Sequence, residues 1–215
     1  MTPFTEHVFA VFVPQLLTAM TVNFKIAAIA QTLGLALGVA LAMAHLGGRA
    51  MGAISSTLVG LMRSAPTFVV MFFLFNTIAR DATLFGNGIV LSGVMIVALS
   101  LVPYATAYVA DNGAEALRQL RRGAPLAALL FLPNVMRSFF VLVMSSSAGA
   151  AIGVSEGIAV ILRETERLPS IGDKFILFAI GIACFGIALQ SGFSLINWVA
   201  RRLGNLMTRS REDVA

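Results

Sequence analysis

Seven polar or ionisable side chains stand inside otherwise apolar runs of this sequence: Asn23, Lys25, Gln31, Asn76, Asp111, Glu156 and Gln190. Away from water such groups are expensive unless they face a cavity or a partner, so each is a candidate for binding chemistry. Lys25 and Asp111 fall near the ends of their runs, where a side chain reaching back to the polar boundary accounts for them. Glu156 follows a serine- and glycine-rich stretch that could break a helix. Two uses are open to it, contact with a ligand or pairing with Arg163 one or two helical turns on. Ser145, Ser146 and Ser147 can hydrogen-bond an adjacent helix or their own preceding carbonyls, or they can line a site shared with a partner. The candidate path for a small polar solute is therefore Asn23, Asn76, Ser145, Ser146, Ser147 and Glu156.

Other chemistry finds less footing. His7 and His45 are far apart with no spaced partner, so no metal site is expected. Cys184 stands alone and offers neither a disulfide nor a thiolate cluster. A Ser/His/Asp hydrolase is not indicated. The phosphate-binding pattern G-x-x-x-x-G-K-S/T does not occur, so any ATP has to be handled by another chain.

The elements that must position these residues follow from composition. Of 215 residues 58% are hydrophobic and 12% charged, with a mean hydropathy of +0.90. So few charges cannot cover one soluble core, and the chain reads as an integral membrane protein. Five segments approach the roughly 20 apolar residues a membrane helix needs. The first centres on Ile26 to Ala44, and the others are Met51 to Ile78 interrupted by Arg63 and Pro66, Ile89 to Ala110, about Leu126 to Val154, and Phe175 to Ala200. Recurrent Gly and Ala suit close helix packing. No repeat or linker divides the chain, so residues 1–215 form one domain.

Basic residues set the expected orientation. Arg49, then Arg118, Arg121, Arg122 and Arg137, then Arg201, Arg202, Arg209 and Arg211 fall on one side. The opposite connections mix signs, as in Arg80 with Asp81 and in Arg163, Glu164, Glu166, Arg167, Asp173 and Lys174. The N-terminus is thus expected outside and the C-terminus in the cytoplasm. A net charge of +5 spread over short connections suits lipid headgroups and excludes one continuous nucleic-acid face. Residues from about 1 to 15 carry Glu6 and no basic region, so they are expected to lie along the interface or extend the first span, without a cleaved signal. A cytoplasmic loop is expected at about 111–125 and a basic cytoplasmic tail at about 201–215. Burying the loop's three close arginines would cost roughly 3 kcal/mol each.

Several blocks carry a family resemblance. LMRSAPTFVVMFFLFN, Leu61 to Asn76, resembles the signature F-R-G-T-P-L-L-V-Q-L-F-F-L-Y of polar amino acid permease subunits in bacterial ATP-binding cassette importers. Leu17 to Ala44 is similar to that family's first conserved helix, and SLVPYATAYVAD, Ser100 to Asp111, resembles A-L-S-L-x-x-x-A-Y-x-A-E. LFLPNVMRSFF, Leu130 to Phe140, resembles V-I-L-P-Q-A-L-R, and Ser145 to Ile161 resembles D-T-S-L-x-S-x-I-G-V-x-E-L, with Glu156 at its glutamate. The blocks run in the family's order over nearly the whole chain.

The resemblance implies an all-helical permease core of five membrane helices in the bacterial inner membrane, providing half of a pore for a polar amino acid or related small solute. Implied partners are a second permease subunit, two cytoplasmic ATPase subunits holding ATP and Mg, and a periplasmic or lipid-anchored substrate-binding protein. No cofactor is expected in this chain. The family's ATPase-coupling loop carries E-A-A-x3-G-x9-I-x-L-P. Here the interval from Tyr108 to Pro133 is shorter than the family's by about twelve residues, roughly three helical turns. Two registers compete. Glu115 and Ala116 can serve as the E-A, with Leu117 replacing the second Ala and Arg121 the glycine; or Gly123 to Ala128 answers G-Q-x-E-A-A, with Leu126 replacing its Glu. Arg118, Arg121 and Arg122 dominate the loop, and Pro125 disfavours a continuous helix through it. Either a short helix from Ala114 to Arg122 docks on an ATPase, or this subunit couples weakly beside an intact permease partner, or the arginines only anchor the loop to headgroups. Met144, Ser145 and Ser146 stand where the family has Lys, Asp and Thr. A non-transporting scaffold derived from the family is the alternative.

Overall fold

Long apolar runs become long helices because a helix satisfies its own backbone polar groups without water. A computed structural model of the chain describes residues 3–78, 83–84, 89–124 and 128–212. Arg80, Asp81, Pro125 and Leu126 lie outside these residues. The first helix is α1, Pro3–His7, continued by a wide π turn, Val8–Phe12, into α2, Val13–His45. Pro14 explains the widening: it has no amide hydrogen to give the carbonyl one turn back. Val8, Phe12 and Leu16 are buried with Ile161 and Leu177. Residues 3–15 are thus helical and run on into α2, one of the two placements expected for the segment from about 1 to 15.

The second apolar segment is not one straight span. It comprises α3, Arg49–Ser64, and α4, Thr67–Thr77, bent by 85° at their junction. Ala65 precedes Pro66 and is held extended, at φ −69° and ψ 115°, as steric clash with a proline ring requires. Beyond it, β1 (Thr83–Leu84) pairs antiparallel with β2 (Ile89–Val90). Ile89 therefore belongs to this small ladder, and the third span begins later, with α5, Gly93–Arg121.

Within the connection expected at about 111–125 the chain is helical as far as Arg121, over most of the short helix expected from Ala114 to Arg122. Residues 111–121 are a continuation of α5, because Ala114 to Arg121 contains no Gly or Pro, and Glu115 holds Arg118 (3.2 Å) and Gln119 (2.7 Å) one turn on. The helix stops at Gly123, at φ 74°, where Gly123 N–H reaches the Leu120 carbonyl and Ala124 N–H the Gln119 carbonyl, both at 3.0 Å. This is a Schellman ending, which needs a left-handed residue.

The fourth span is α6, Phe131–Ser145, tightened into a 3-10 segment, Ser146–Ile152. Then come α7, Gly157–Arg167, and α8, Ile171–Glu212. The expected tail from 201 is helical as far as Glu212.

Four of these helices are long and apolar enough to cross a membrane, or five spans are present if the bent pair counts as one. Helix directions favour five. A Cβ on Gly34 would lie 2.4 Å from Ala105 Cβ, one on Gly38 2.6 Å from Val109 Cβ, and one on Gly113 3.2 Å from Ala42 Cβ. The rising pairs show α2 and α5 running parallel, backbone against backbone, as small residues allow. Between two parallel spans the chain has to recross, and α3 with α4 does so. The main core lies between α2, α5 and α6, around Ile26, Ala30, Val97, Leu101 and Leu142.

Candidate functional site

Asn23, Ser146, Ser147 and Glu156 meet where α2 passes the break between α6 and α7. Asn23 is fully buried. Its amide nitrogen donates to Glu156 Oε2 at 2.8 Å, to Ser146 Oγ at 2.9 Å and, more weakly, to Ser147 Oγ at 3.5 Å. Its carbonyl oxygen accepts from Gly157 N–H at 3.0 Å. Ser146 also donates to the Val143 carbonyl at 2.7 Å, which helps tighten the helix end.

Local geometry delivers the carboxylate to this point. The 3-10 segment ends at Gly153, whose φ of 83° suits glycine, and Val154 N–H returns to the Gly149 carbonyl at 3.0 Å. The chain then extends through Glu156, which caps α7 by accepting from Ile158 N–H and Ala159 N–H, each at 2.9 Å. A carboxylate suits this place because helix N-termini favour negative charge. A Cβ at residue 157 would sit 2.5 Å from Phe185 Cζ and 3.2 Å from Asn23 Oδ1, so a larger residue would have to displace the Phe185 ring and press on the Asn23 amide.

Glu156 lies between the fourth and fifth candidate spans. Burial pushes its carboxyl above the usual range, against the opposing pull of the Asn23 amide and the two backbone N–H groups. The hydrogen bonds are mutually satisfied, so the node's first effect is positional: it fastens α2 to the α6–α7 break. Beside it a cavity of about 590 Å³ opens between α2 and α7, lined by Gln15, Thr18, Thr21, Ser155 and Arg163 among others.

Other expected residues fall elsewhere. Asn76 is exposed on α4 and donates back to the Phe72 carbonyl at 2.7 Å, away from the node. Ser145 ends α6 outside it. Glu156 does not pair with Arg163, whose guanidinium approaches Ser155 Oγ at 3.5 Å. Asp111 pairs with Arg63 rather than reaching alone for the boundary. Glu115, Ala116, Arg118 and Arg121 share the last turns of α5, Arg122 caps it, Gly123 turns the chain, and Pro133 stands in the first turn of α6. Arg121 reaches the Leu46 carbonyl at 3.5 Å, tying the ends of α5 and α2 together.

The letters of a nucleophile elbow, G-x-S-x-G, do occur at Gly153 to Gly157. The elbow needs a strand before the serine and a histidine beside it. Here a 3-10 turn precedes Ser155, and His7 lies 3.2 Å from Glu164 instead.

Further polar pairings escaped the sequence. His7 and Arg167 (2.7 Å) both hold buried Glu164, Ser138 donates to Gln31 at 2.6 Å, and Asn134 donates to Asn112 at 2.8 Å. Only the spacing of Glu164 and Arg167, one turn apart, carried a local signal.

No family model and no curated protein sequence matches this chain. Among solved structures it is similar to a chain in the crystal structure of an amino acid ABC transporter with histidines. The TM-score is 0.70 at 16% sequence identity, over 94% of this chain and 99% of that one. At that identity the likeness is one of fold, and it extends from end to end: the chain has the all-helical, membrane-spanning fold found in an amino acid ABC transporter.

Proposed function

We propose that this chain is the membrane-spanning permease subunit of an ATP-driven importer for a polar amino acid or a related small solute. It contributes half of the translocation pore and pairs with a different permease subunit that carries most of the ATPase coupling. Two cytoplasmic ATPase subunits bind ATP and Mg, and a periplasmic or lipid-anchored binding protein delivers the solute. The setting is a bacterial inner membrane, with the N-terminus outside and the turn at Gly123 in the cytoplasm.

The observation that carries this reading is the fold likeness to a chain of an amino acid ABC transporter over 94% of the residues. The ordered sequence blocks support it independently. Arg118, Arg121 and Arg122 at the end of α5 give the cytoplasmic ATPase a basic contact, and the buried node at Asn23 and Glu156 places polar groups beside the α2–α7 cavity.

One observation favours a second reading. The coupling segment is here the end of a span closed by a Schellman turn, with Glu115 engaged by its own helix. A scaffold that holds a complex together without moving solute would tolerate that.

Affinity purification from native membranes, with the partners identified by mass spectrometry, tests the proposal. An ATPase and a second permease subunit are expected. Recovery of the chain without any ATPase overturns the importer reading, and recovery of a full complex that takes up no amino acid on ATP addition selects the scaffold.

A further inference from the structure

The two walls of the cavity between α2 and α7 offer opposite chemistry. On the α7 side stands Arg163, whose guanidinium approaches Ser155 Oγ at 3.5 Å. Among the described residues no carboxylate lies within ion-pair distance of it, and no acidic side chain lines the cavity. Arg167, on the same helix, is by contrast taken by Glu164 at 2.7 Å. Arg163 therefore keeps a forked set of N–H donors and an uncompensated positive charge for something that enters from outside the chain.

On the α2 side, Thr18 Oγ donates to the Pro14 carbonyl at 2.9 Å and Thr21 Oγ to the Thr18 carbonyl at 2.6 Å. Both hydroxyl hydrogens are committed to backbone, so each oxygen meets a ligand as an acceptor alone. Gln15 lines the same wall, and its side-chain carbonyl accepts as well. A simple anion would satisfy Arg163 and leave the threonine oxygens idle. A ligand carrying a carboxylate and an ammonium side by side satisfies both walls. The volume, about 590 Å³, is that of a small-molecule site.

We propose that the cavity between α2 and α7 binds the zwitterionic main chain of an α-amino acid. The carboxylate sits on the Arg163 fork beside the Ser155 hydroxyl, and the ammonium on the Thr18 and Thr21 oxygens and the Gln15 carbonyl. Arginine suits the first role because its planar donors match a carboxylate in pairs. The choice of an amino acid among zwitterions rests on the importer reading, and the pocket then lies in this chain. Because the groups recognised are common to all amino acids, solutes with different side chains share the site.

Thermal unfolding of the full chain in mild detergent, titrated with L-glutamine, L-histidine or L-glutamate, tests this without any ATPase, since a bound ligand raises the midpoint. All three are expected to raise it at millimolar concentration. Glutaminamide, which lacks the carboxylate, and N-acetylglutamine, which lacks the ammonium, should each bind about tenfold more weakly than L-glutamine. Arg163→Gln should weaken L-glutamine about tenfold and leave glutaminamide unchanged. Thr18→Val with Thr21→Val should weaken L-glutamine and leave N-acetylglutamine unchanged, a split by ligand that a merely damaged fold would not give. Lys174→Gln, outside the cavity, should alter none of them. No shift with any of the three amino acids, or an equal loss of every ligand in Arg163→Gln, overturns the proposal. Preference for phosphoethanolamine, which carries the same opposed charges, would make this a lipid-headgroup site and overturn the amino acid assignment. If an ATPase is recovered with the chain but Arg163→Gln binds L-glutamine like the wild type, the site falls and the importer reading stands. If the amino acids bind as described but no ATPase is recovered, the importer reading falls and the site stands.

Discussion

The Asn23 amide donates to the Glu156 carboxylate at 2.8 Å, joining residues 133 positions apart, in a place from which both side chains are fully shielded. Buried carboxylates need several donors to offset lost hydration, and among the described residues Asn23 supplies the donor to Glu156 from outside its own turn. Asn23→Ala removes it and strands the Gly157 N–H as well. The expected loss is about 2–4 kcal/mol of stability, read as a lower unfolding midpoint of the purified protein. Asn23→Asp should be worse, because it sets a second carboxylate against the first. A midpoint unchanged by both substitutions would refute the assigned role.

The acidity of Glu156 gives a pH signature. Its native carboxyl is pushed above the ordinary 4.5, so the folded protein keeps a proton that the unfolded chain has already released. Stability should therefore decline as pH rises from 4.5 through the raised value, then level off. Glu156→Gln should flatten that slope while keeping an acceptor for the cap. Thermal unfolding against pH, wild type beside variant, checks the sign.

Gly34 and Gly38 set the separation of α2 and α5. At residue 38 an added Cβ would meet Val109 Cβ at 2.6 Å and the Thr106 carbonyl oxygen at 2.8 Å. Backbone cannot step aside as a flexible side chain can, so Gly38→Ala should cost about 1–3 kcal/mol and Gly38→Val more. Gly60, whose added Cβ would meet nothing within 4 Å, is the matched control. Equal expression and melting of Gly38→Val and Gly60→Val would contradict the parallel packing described.

Gly123 closes α5 in a left-handed conformation. Gly123→Ala should cost about 1–2 kcal/mol locally and fray the last turn. Hydrogen exchange at Ala124 and Arg122, whose N–H groups return to carbonyls of that turn, should quicken, while the middle of α5 stays protected.

How much of this could be read in advance depended on the range of the interaction. Apolar runs announced every long helix, because lipid leaves a spanning backbone few alternatives. Pro66 announced the bend, since its effect on Ala65 is local. That α5 runs unbroken to Arg121 was less plain: the clustered arginines mark a connection between apolar runs, and a helix carries such charges easily when nothing breaks it before Gly123. Asn23, Ser146, Ser147 and Glu156 were singled out individually as polar groups in apolar surroundings. Their meeting was not legible, because it depends on how α2 crosses the α6–α7 break. Asn76 shared the same signal, but a polar side chain can also be satisfied by its own helix, and Asn76 is.

The most direct measurement places a photo-activated cross-linker at Gln119, on the last turns of α5, in native membranes. The proposed role predicts an adduct with a cytoplasmic subunit bearing a phosphate-binding loop, and no reaction of Gln119→Cys with an impermeant thiol reagent added outside intact cells. Labelling of that cysteine from outside, with no ATPase adduct at position 119, would contradict it.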